Sequence, residues 1–445
     1  MVSTVRWVPT EETPLEVPAV ESQAHPGAAR WWHAVTIDVR PLRSSREFRL
    51  LWIGQSVSFI GSQVAAVALP FQVFKLTHSS LAVGLIGATE LAPMLILSLV
   101  GGALADARDR RRMVLTAEVG LMVVSLLLMA NALLKHPMVW PLYALAAVGS
   151  SLVALSRPSL TAMLPRLVSK DELSGAIALE TVTGGAAMIA GPALAGLLIA
   201  SVGMATTYGV DAASFVASLV CLALMKAVPP PADAPAPGLR SIIDGLRYVR
   251  GKPVLQGTYL LDYAAMVFGM PRALFPALAL GRFAGGPREV GLLYAAPAVG
   301  AFLLSATSGW TGRVRRHGLA ITIAVITWGT ATAAFGLSHD LWLALLLLAV
   351  AGGADLVSGL FRMQVWNETI PDAFRGRLAG VEWANVASGP LLGDVESGLV
   401  ASWRGPGFSV VSGGVACVVT AVVMLAFLPG FVTYDARAER PAPAA

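Results

Sequence analysis

Long apolar runs, broken only by short polar punctuation, dominate this chain. Twelve of them lie near residues 48–74, 81–104, 113–134, 138–160, 173–200, 204–227, 254–280, 288–310, 318–337, 341–364, 377–402 and 407–428. About 20 apolar residues let a helix cross the hydrocarbon of a bilayer. The runs are continuous rather than alternating, which excludes the period-two signature of a membrane β-barrel. The pattern predicts an all-α integral membrane protein with twelve transmembrane helices. Glycine and proline interrupt several runs, and membrane helices tolerate them where neighbours satisfy the freed backbone groups.

The polar stretches divide the chain. Residues 1–45 hold Pro9, Pro14, Pro18 and Pro26, the acids Glu11, Glu12, Glu16 and Glu21, and no apolar core segment. They read as a disordered cytoplasmic tail and not as a signal peptide. Trp31 and Trp32 suit the lipid headgroup level. Residues 46–228 carry the first six runs and 253–430 the second six. Between them, at 229–252, Pro229, Pro230, Pro231, Pro235 and Pro237 forbid a continuous helix. Ile242, Ile243, Leu246 and Val249 then recur at helical spacing among Arg240, Asp244, Arg247 and Arg250, predicting a short amphipathic helix on the inner leaflet. A second cytoplasmic tail follows at 431–445.

The most telling punctuation is the stretch from Gly101 to Arg112, where Asp106, Arg108, Arg110, Arg111 and Arg112 crowd one turn. Each ionised group would cost about 3 kcal/mol or more in hydrocarbon, so this is a loop at the membrane surface. Gly309 to His317, with Arg313, Arg315 and Arg316, occupies the same place in the second set of six runs. Such a parallel repeat predicts two six-helix bundles with a substrate site at their interface near the midplane. Most of the 32 Lys and Arg fall on the side of these loops, Arg362, Arg375 and Arg377 included. That bias puts both termini in the cytoplasm of a cell whose inner membrane the protein spans.

Composition narrows the function. A hydrophobic share of 56% against 13% charged residues is far from a soluble domain, which averages about 25% charged. The net charge of +5 resides in the membrane-surface loops and does not signal nucleic acid. Cys221 and Cys417 lie in separate runs without metal-ligand spacing. There is no GxxxxGK[ST] loop, nucleophile elbow or zinc motif, so the chain reads as neither an ATPase nor another enzyme, with no cofactor.

Ionisable groups inside the runs are the candidate machinery. A carboxyl group taken out of water favours its neutral form, and intramembrane acids face a cavity or a partner. Asp262 and Glu90, then Asp355, are the candidates for proton coupling, against the alternative of structural ion pairs; Glu180, Glu382, Asp394 and Glu396 follow. Arg272 lies between Pro271 and Pro276, where the seventh run should break. It has the donor fork to attract an anionic or catechol-oxygen substrate, or equally to pair with Asp394 or Glu396. Tyr263, with Tyr259, Phe268, Trp366 and Trp383, is a candidate for the cavity wall, packing being the alternative. Asp106, with Gly102, Arg110 and Arg111, is a candidate cytoplasmic gate that latches in one state and breaks in the other.

These residues carry a family likeness. Gly101 to Leu115, Phe48-Arg49, Thr77 to Ser80, Val83 to Leu85, Phe275 to Ala279, Val290 to Ala296 and Gly376 to Gly380 resemble the major facilitator superfamily of transporters, drug:proton antiporter type. Within it the likeness is to the enterobactin (siderophore) exporter family, over roughly 45–430. Ala107 departs from a usual basic residue and Asp109 from a usual glycine. Gly191, Pro192 and Gly196 in the fifth run resemble the antiporter motif, which implies export; plain small-residue packing is the alternative. The resemblance implies a monomeric secondary transporter that exports a siderophore or similar organic molecule by proton-coupled alternating access. A multidrug or macrolide efflux antiporter is the other reading. Its partners would be the small-molecule substrate, protons and the lipid bilayer.

Overall fold

The computed structural model describes residues 38–107, 109–228 and 247–434; the side chains of 99–107, 372–373, 375–377, 379–381 and 383–384 lie outside that description. The expected amino-terminal tail up to residue 37, the start of the amphipathic segment and the last eleven residues are likewise outside it. Residues 40–44 and 247–250 are short helical turns.

The apolar runs fold as long helices: α1 (Arg46–Thr77), α2 (Ser80–Ala107), α3 (Arg110–Leu133), α4 (Trp140–Leu167), α5 (Leu173–Ser201), α6 (Gly203–Leu224), α7 (Pro253–Phe268), α8 (Pro287–Ser305), α9 (His317–Leu337), α10 (Leu341–Thr369), α11 (Asp372–Arg404) and α12 (Pro406–Phe427). Among the described residues, nine segments are long and apolar enough to cross a membrane by length and composition alone; α4, α8 and α11 are not in that set. The charged groups of α11, among them Glu382, Asp394 and Glu396, explain its absence.

Local chemistry sets the ends. Ser45 accepts the Phe48 amide at 3.1 Å and starts α1, and Asp340 accepts the Leu343 amide at 2.8 Å and starts α10. Asp109, where the family pattern has glycine, accepts the Arg112 amide at 2.9 Å and caps α3; each such cap contributes about 1 kcal/mol. α7 breaks where expected. Pro271 cannot continue a helix, and the chain passes through a 3-10 turn (Arg272–Leu274), a turn of α-helix (Phe275–Ala277) and a π turn (Leu278–Arg282). The carbonyl of Gly269, freed by the break, accepts from Trp328 Nε1 at 2.9 Å and Thr332 Oγ1 at 3.2 Å on α9, so this backbone acceptor is not orphaned.

The two faces of the molecule are built differently. At the face away from the arginine loop, a single apolar core runs through Val67, Val124, Ile199, Phe275, Leu293, Phe335 and Leu348, drawing on both halves of the chain. At the arginine-loop face the core is split. Leu51, Val114 and Leu222 form one cluster of the first half, Phe48 and Ala176 another, and Leu255, Val325 and Phe361 a separate one in the second half. Glycines let backbones touch on the joined face. A Cβ on Gly196 would meet the Pro287 carbonyl oxygen at 2.6 Å, joining α5 to α8, and one on Gly398 would meet that of Ser80 at 2.8 Å, joining α11 to α2. Around the outside, large apolar side chains such as Leu346 (61% exposed) and Val220 (55%) form an unpartnered belt suited to lipid.

Candidate functional site

A cavity of about 270 Å³ lies between the halves, under the joined core. Glu90 from α2, Arg272 from the α7 break, Asp355 from α10 and Asp394 from α11 all line it. A groove of about 450 Å³ between α1, α4 and α5 leads from the arginine-loop face and shares Met188 with the cavity. Met188 is thus the residue at which the groove and the cavity come next to each other.

Arg272 is the cation of this site. Its Nη2 donates to Asp394 Oδ2 at 3.1 Å, and the Ala273 amide donates to Asp394 Oδ1 at 3.1 Å. Tyr294 Oη donates to the Arg272 carbonyl at 2.9 Å, which fixes the broken segment against α8. The expected choice of partner falls on Asp394 and not Glu396. The pairing is incomplete: Arg272 Nε has no hydrogen-bond partner, and its side chain keeps 35% of its surface, turned into the cavity. A planar fork with spare donors beside a cavity can take an anionic or hydroxyl oxygen. Glu90 lies within electrostatic reach of both Arg272 and Asp394. Sequence reasoning thus reached Glu90, Arg272 and Asp355, and the structure brings them together.

Asp262 is placed differently. It is fully buried away from the cavity and ion-paired with Arg362. Asn385 Nδ2 donates to its Oδ2 at 2.7 Å, and Arg362 Nη1 donates to Ser358 Oγ at 3.1 Å. The pair ties α7, α10 and α11. Arg362, counted above among the membrane-surface cations, is 7% exposed and two turns inside α10: its long stem carries the charge inward to meet Asp262. Asp355, seven residues before Arg362, shares its helix face.

Tyr263 is half-buried and does not line the cavity, and neither do Tyr259, Phe268 and Trp366. Tyr259 instead stacks on Trp366 with ring centroids 5.1 Å apart. Trp366 Nε1 donates to Thr258 Oγ1 at 3.0 Å. Trp383 lies outside the described side chains. The aromatic wall comes from Phe275, Tyr294 and Trp328, which the apolar pattern did not distinguish from ordinary packing residues.

The arginine loop fastens the first half to itself. Arg110 is buried, and its Nη1 donates to the Ala162 carbonyl at 3.0 Å. Arg111 donates to the carbonyls of Leu222 at 2.6 Å and Ala223 at 2.7 Å. Arg111 thus caps the carboxyl end of α6, where carbonyls lack helical partners, while Arg110 ties α3 to the last turns of α4. Gly102 and Asp106 belong to α2, but their surroundings lie outside the described side chains.

In α5, Gly191 faces α1, where a Cβ would meet Gln63, while Pro192 lines the cavity and its carbonyl backs onto Gly291 of α8. Gly196 completes the α5–α8 contact.

Two further buried acids escaped the sequence reading. Glu118 on α3 is 5% exposed and Asp211 on α6 is 2% exposed. Each is a lone acid inside an apolar run, and serines at helical spacing (Ser125; Ser214 and Ser218) were the available signal.

The sequence signature of the transmembrane secretion effector family matches residues 37–444. The chain is 30% identical to the enterobactin exporter EntS of Shigella boydii over 87% of this chain and 93% of that protein. It is 29% identical to the EntS of Citrobacter koseri over the same shares. Its fold resembles a mutant form of the nucleoside transporter NupG, with a TM-score of 0.71 at 14% identity over 85% of this chain and 99% of that one. It also resembles a bacterial homolog of the lysosomal transporter Spinster, solved inward-facing and unoccupied, with a TM-score of 0.67 at 16% identity over 92% of this chain and 100% of that one. This all-helical, multi-pass membrane chain belongs to the transmembrane secretion effector family of major facilitator transporters, proteins that move small molecules and are not enzymes.

Proposed function

We propose that the protein exports a siderophore or similar organic molecule across the cytoplasmic membrane, coupled to inward proton flow by alternating access. The observation that carries this reading is the cavity between the halves, roofed by one continuous core and next to a groove at the arginine-loop face, with Arg272 held in it by Asp394 beside Glu90. The arginine bias makes that face cytoplasmic, with both termini inside. In this reading all twelve long helices span the membrane as two six-helix bundles, 46–228 and 253–430. The chain works as a monomer, with no nucleic acid partner and no cofactor.

Arg272 and the carboxylates divide the work. With Asp394 and Glu90 ionised and the cavity facing the cytoplasm, a catechol or similar hydroxyl of the substrate donates to these carboxylates while its oxygen accepts from the spare donors of Arg272. With the cavity facing outward, a proton arriving at Asp394 or Glu90 takes the substrate's place and expels it, and that proton leaves to the cytoplasm when the cavity faces inward again. Asp355 sets the charge of the opposite wall. Asp262 and Arg362 form a lock that proton binding at Asp262 opens, letting α10 and α11 shift. Gly102, Asp106, Arg110 and Arg111 rebuild the cytoplasmic closure in the other state. Gly191, Pro192 and Gly196 let α5 ride close against α1 and α8. The likeness to enterobactin exporters supports the substrate class.

The test uses the full chain in liposomes with enterobactin as probe. Enterobactin flux should follow an imposed proton gradient and fall at least tenfold in Arg272→Gln at unchanged folded yield. Flux indifferent to the gradient removes proton coupling. Gradient-driven flux of a lipophilic cation such as ethidium, with none of enterobactin, moves the assignment to multidrug efflux.

A further inference from the structure

The first half contains a polar core that the transport cycle just described does not use. On α3, Glu118 and Ser125 stand seven residues apart; on α6, Asp211, Ser214 and Ser218 share one face. These faces meet across α1. Gln55 Nε2 bridges them, donating to Glu118 Oε1 at 2.7 Å and to Ser218 Oγ at 3.2 Å. Ser125 Oγ donates to Asp211 Oδ2 at 2.5 Å. The second oxygen of each acid, Glu118 Oε2 and Asp211 Oδ1, is buried without a partner. Among the described residues neither acid has an ion-pair partner. The titratable groups around them are each other, Tyr208 and Cys221 on α6, and, across a cleft, Glu90 and Arg272. Tyr208 Oη is already spent on Gln72 Oε1 at 2.8 Å. From α1 only Gln55, Ser58, Gly61 and Ser62 approach, none of them titratable.

An ionised carboxylate buried without a counter-charge is too costly to persist; it takes up a proton or holds a cation. Gly61 lets α6 close against α1 beside the unpartnered oxygen: a Cβ there would collide with Ser214 Oγ and stand 2.9 Å from Asp211 Oδ1. A cleft of about 410 Å³ joins Asp211 and Ser125 to Glu90 and Arg272. We propose that Asp211 and Glu118, positioned by Ser125, Gln55 and the close approach of α6 to α1 at Gly61, form a second proton-carrying site in the first half, in communication with the central cavity through this cleft. A proton binds the carboxylate as H⁺ and leaves as H⁺, and no other bond changes. This inference rests on the proton-coupled reading for its purpose, and on its own geometry for its existence.

The experiment is infrared difference spectroscopy of the full chain in lipid nanodiscs, between acid and alkaline pH, in sodium-free and in sodium-containing buffer. The wild type should show the carbonyl stretch of a protonated carboxylic acid that fades as pH rises. Asp211→Asn should remove one component and Glu118→Gln another. A spectrum unchanged in both variants overturns the site. A band that responds to sodium at constant pH assigns the pocket to a metal cation instead. Should Asp211→Asn not fold, Ser125→Ala must shift the frequency of the Asp211 component; no shift is equally fatal. The outcome is separable from the transport reading: enterobactin flux can fail while the band titrates, and the band can be absent while gradient-driven flux persists.

Discussion

The two halves of the chain bury acids in opposite ways. In the second half Asp262 has Arg362, and Asp394 has Arg272. In the first half Glu118 and Asp211 have only an amide, hydroxyls and each other. A paired charge is a mechanical element, since breaking it leaves an uncompensated ion and moving one partner drags the other helix. An unpaired acid is a titrating element, since its neutral form suits the interior and its charged form does not. In the proposed reading the halves then differ in emphasis: the second half holds and releases as its pairs break and form, and the first adds a store of protons.

Removing the cation from the tightest pair should break this contrast most visibly. Arg362→Gln leaves Asp262 fully buried and alone, at a cost of about 3–5 kcal/mol, read as a lowered thermal unfolding midpoint in detergent or loss of folded yield. The double variant Asp262→Asn with Arg362→Gln should recover most of the loss, because two neutral groups replace a stranded ion. Equal instability of the single and double variants would show that shape, and not charge, sets the behaviour of this pair.

A smaller effect is expected at the cavity. Asp394→Asn removes the charge opposite Arg272 but keeps its shape, and hydrogen bonds to charged groups contribute about 1.5–3 kcal/mol. The loss should be at the low end, because Arg272 retains open surface and access to Glu90. Enterobactin flux in this variant should lose most of its dependence on the proton gradient, and binding of the probe, followed by tryptophan fluorescence, should respond less to pH than in the wild type. Gly61→Ala should cost about 1–3 kcal/mol by overpacking α1 against α6. The added methyl would press on Ser214 and Asp211, so it should shift the Asp211 component of the infrared spectrum, which a mere loss of stability would not.

Much of this was legible from the residues. Continuous apolar runs placed the helices to within a few positions, and Pro271 and Pro276 marked the break that presents Arg272. Glu90 and Asp355 stood out as lone charges at mid-run and do face the cavity. What stayed hidden was pairing across the fold. Arg362 looked like a surface cation because it sits near the end of a run, yet its long side chain reaches back to Asp262. Tyr263 was a candidate for the cavity wall with packing as the alternative, and it lies outside the cavity beside Asp262, which is buried in the helix packing. Glu118 and Asp211 went unremarked because neither has a charged neighbour in sequence. Their company of Gln55, Ser125 and Ser218 assembles only when α1, α3 and α6 meet.

The smallest expected effect sharpens the comparison best. If Asp211 and Glu118 are held as neutral acids, replacing either by its amide changes little in size, polarity or charge. Asp211→Asn and Glu118→Gln should therefore each alter stability by less than about 1 kcal/mol near neutral pH, well below the loss expected at Arg362. The pH dependence should differ more than the magnitude. Stability falls with rising pH wherever the folded state binds more protons than the unfolded one. A folded chain that retains protons on these acids should lose stability as the medium becomes alkaline, and each amide variant should flatten that decline. Unfolding midpoints measured across pH in the wild type and both variants would show it. Parallel curves would mean that the first half keeps its acids charged after all, and the division of duties between the halves would fall with them.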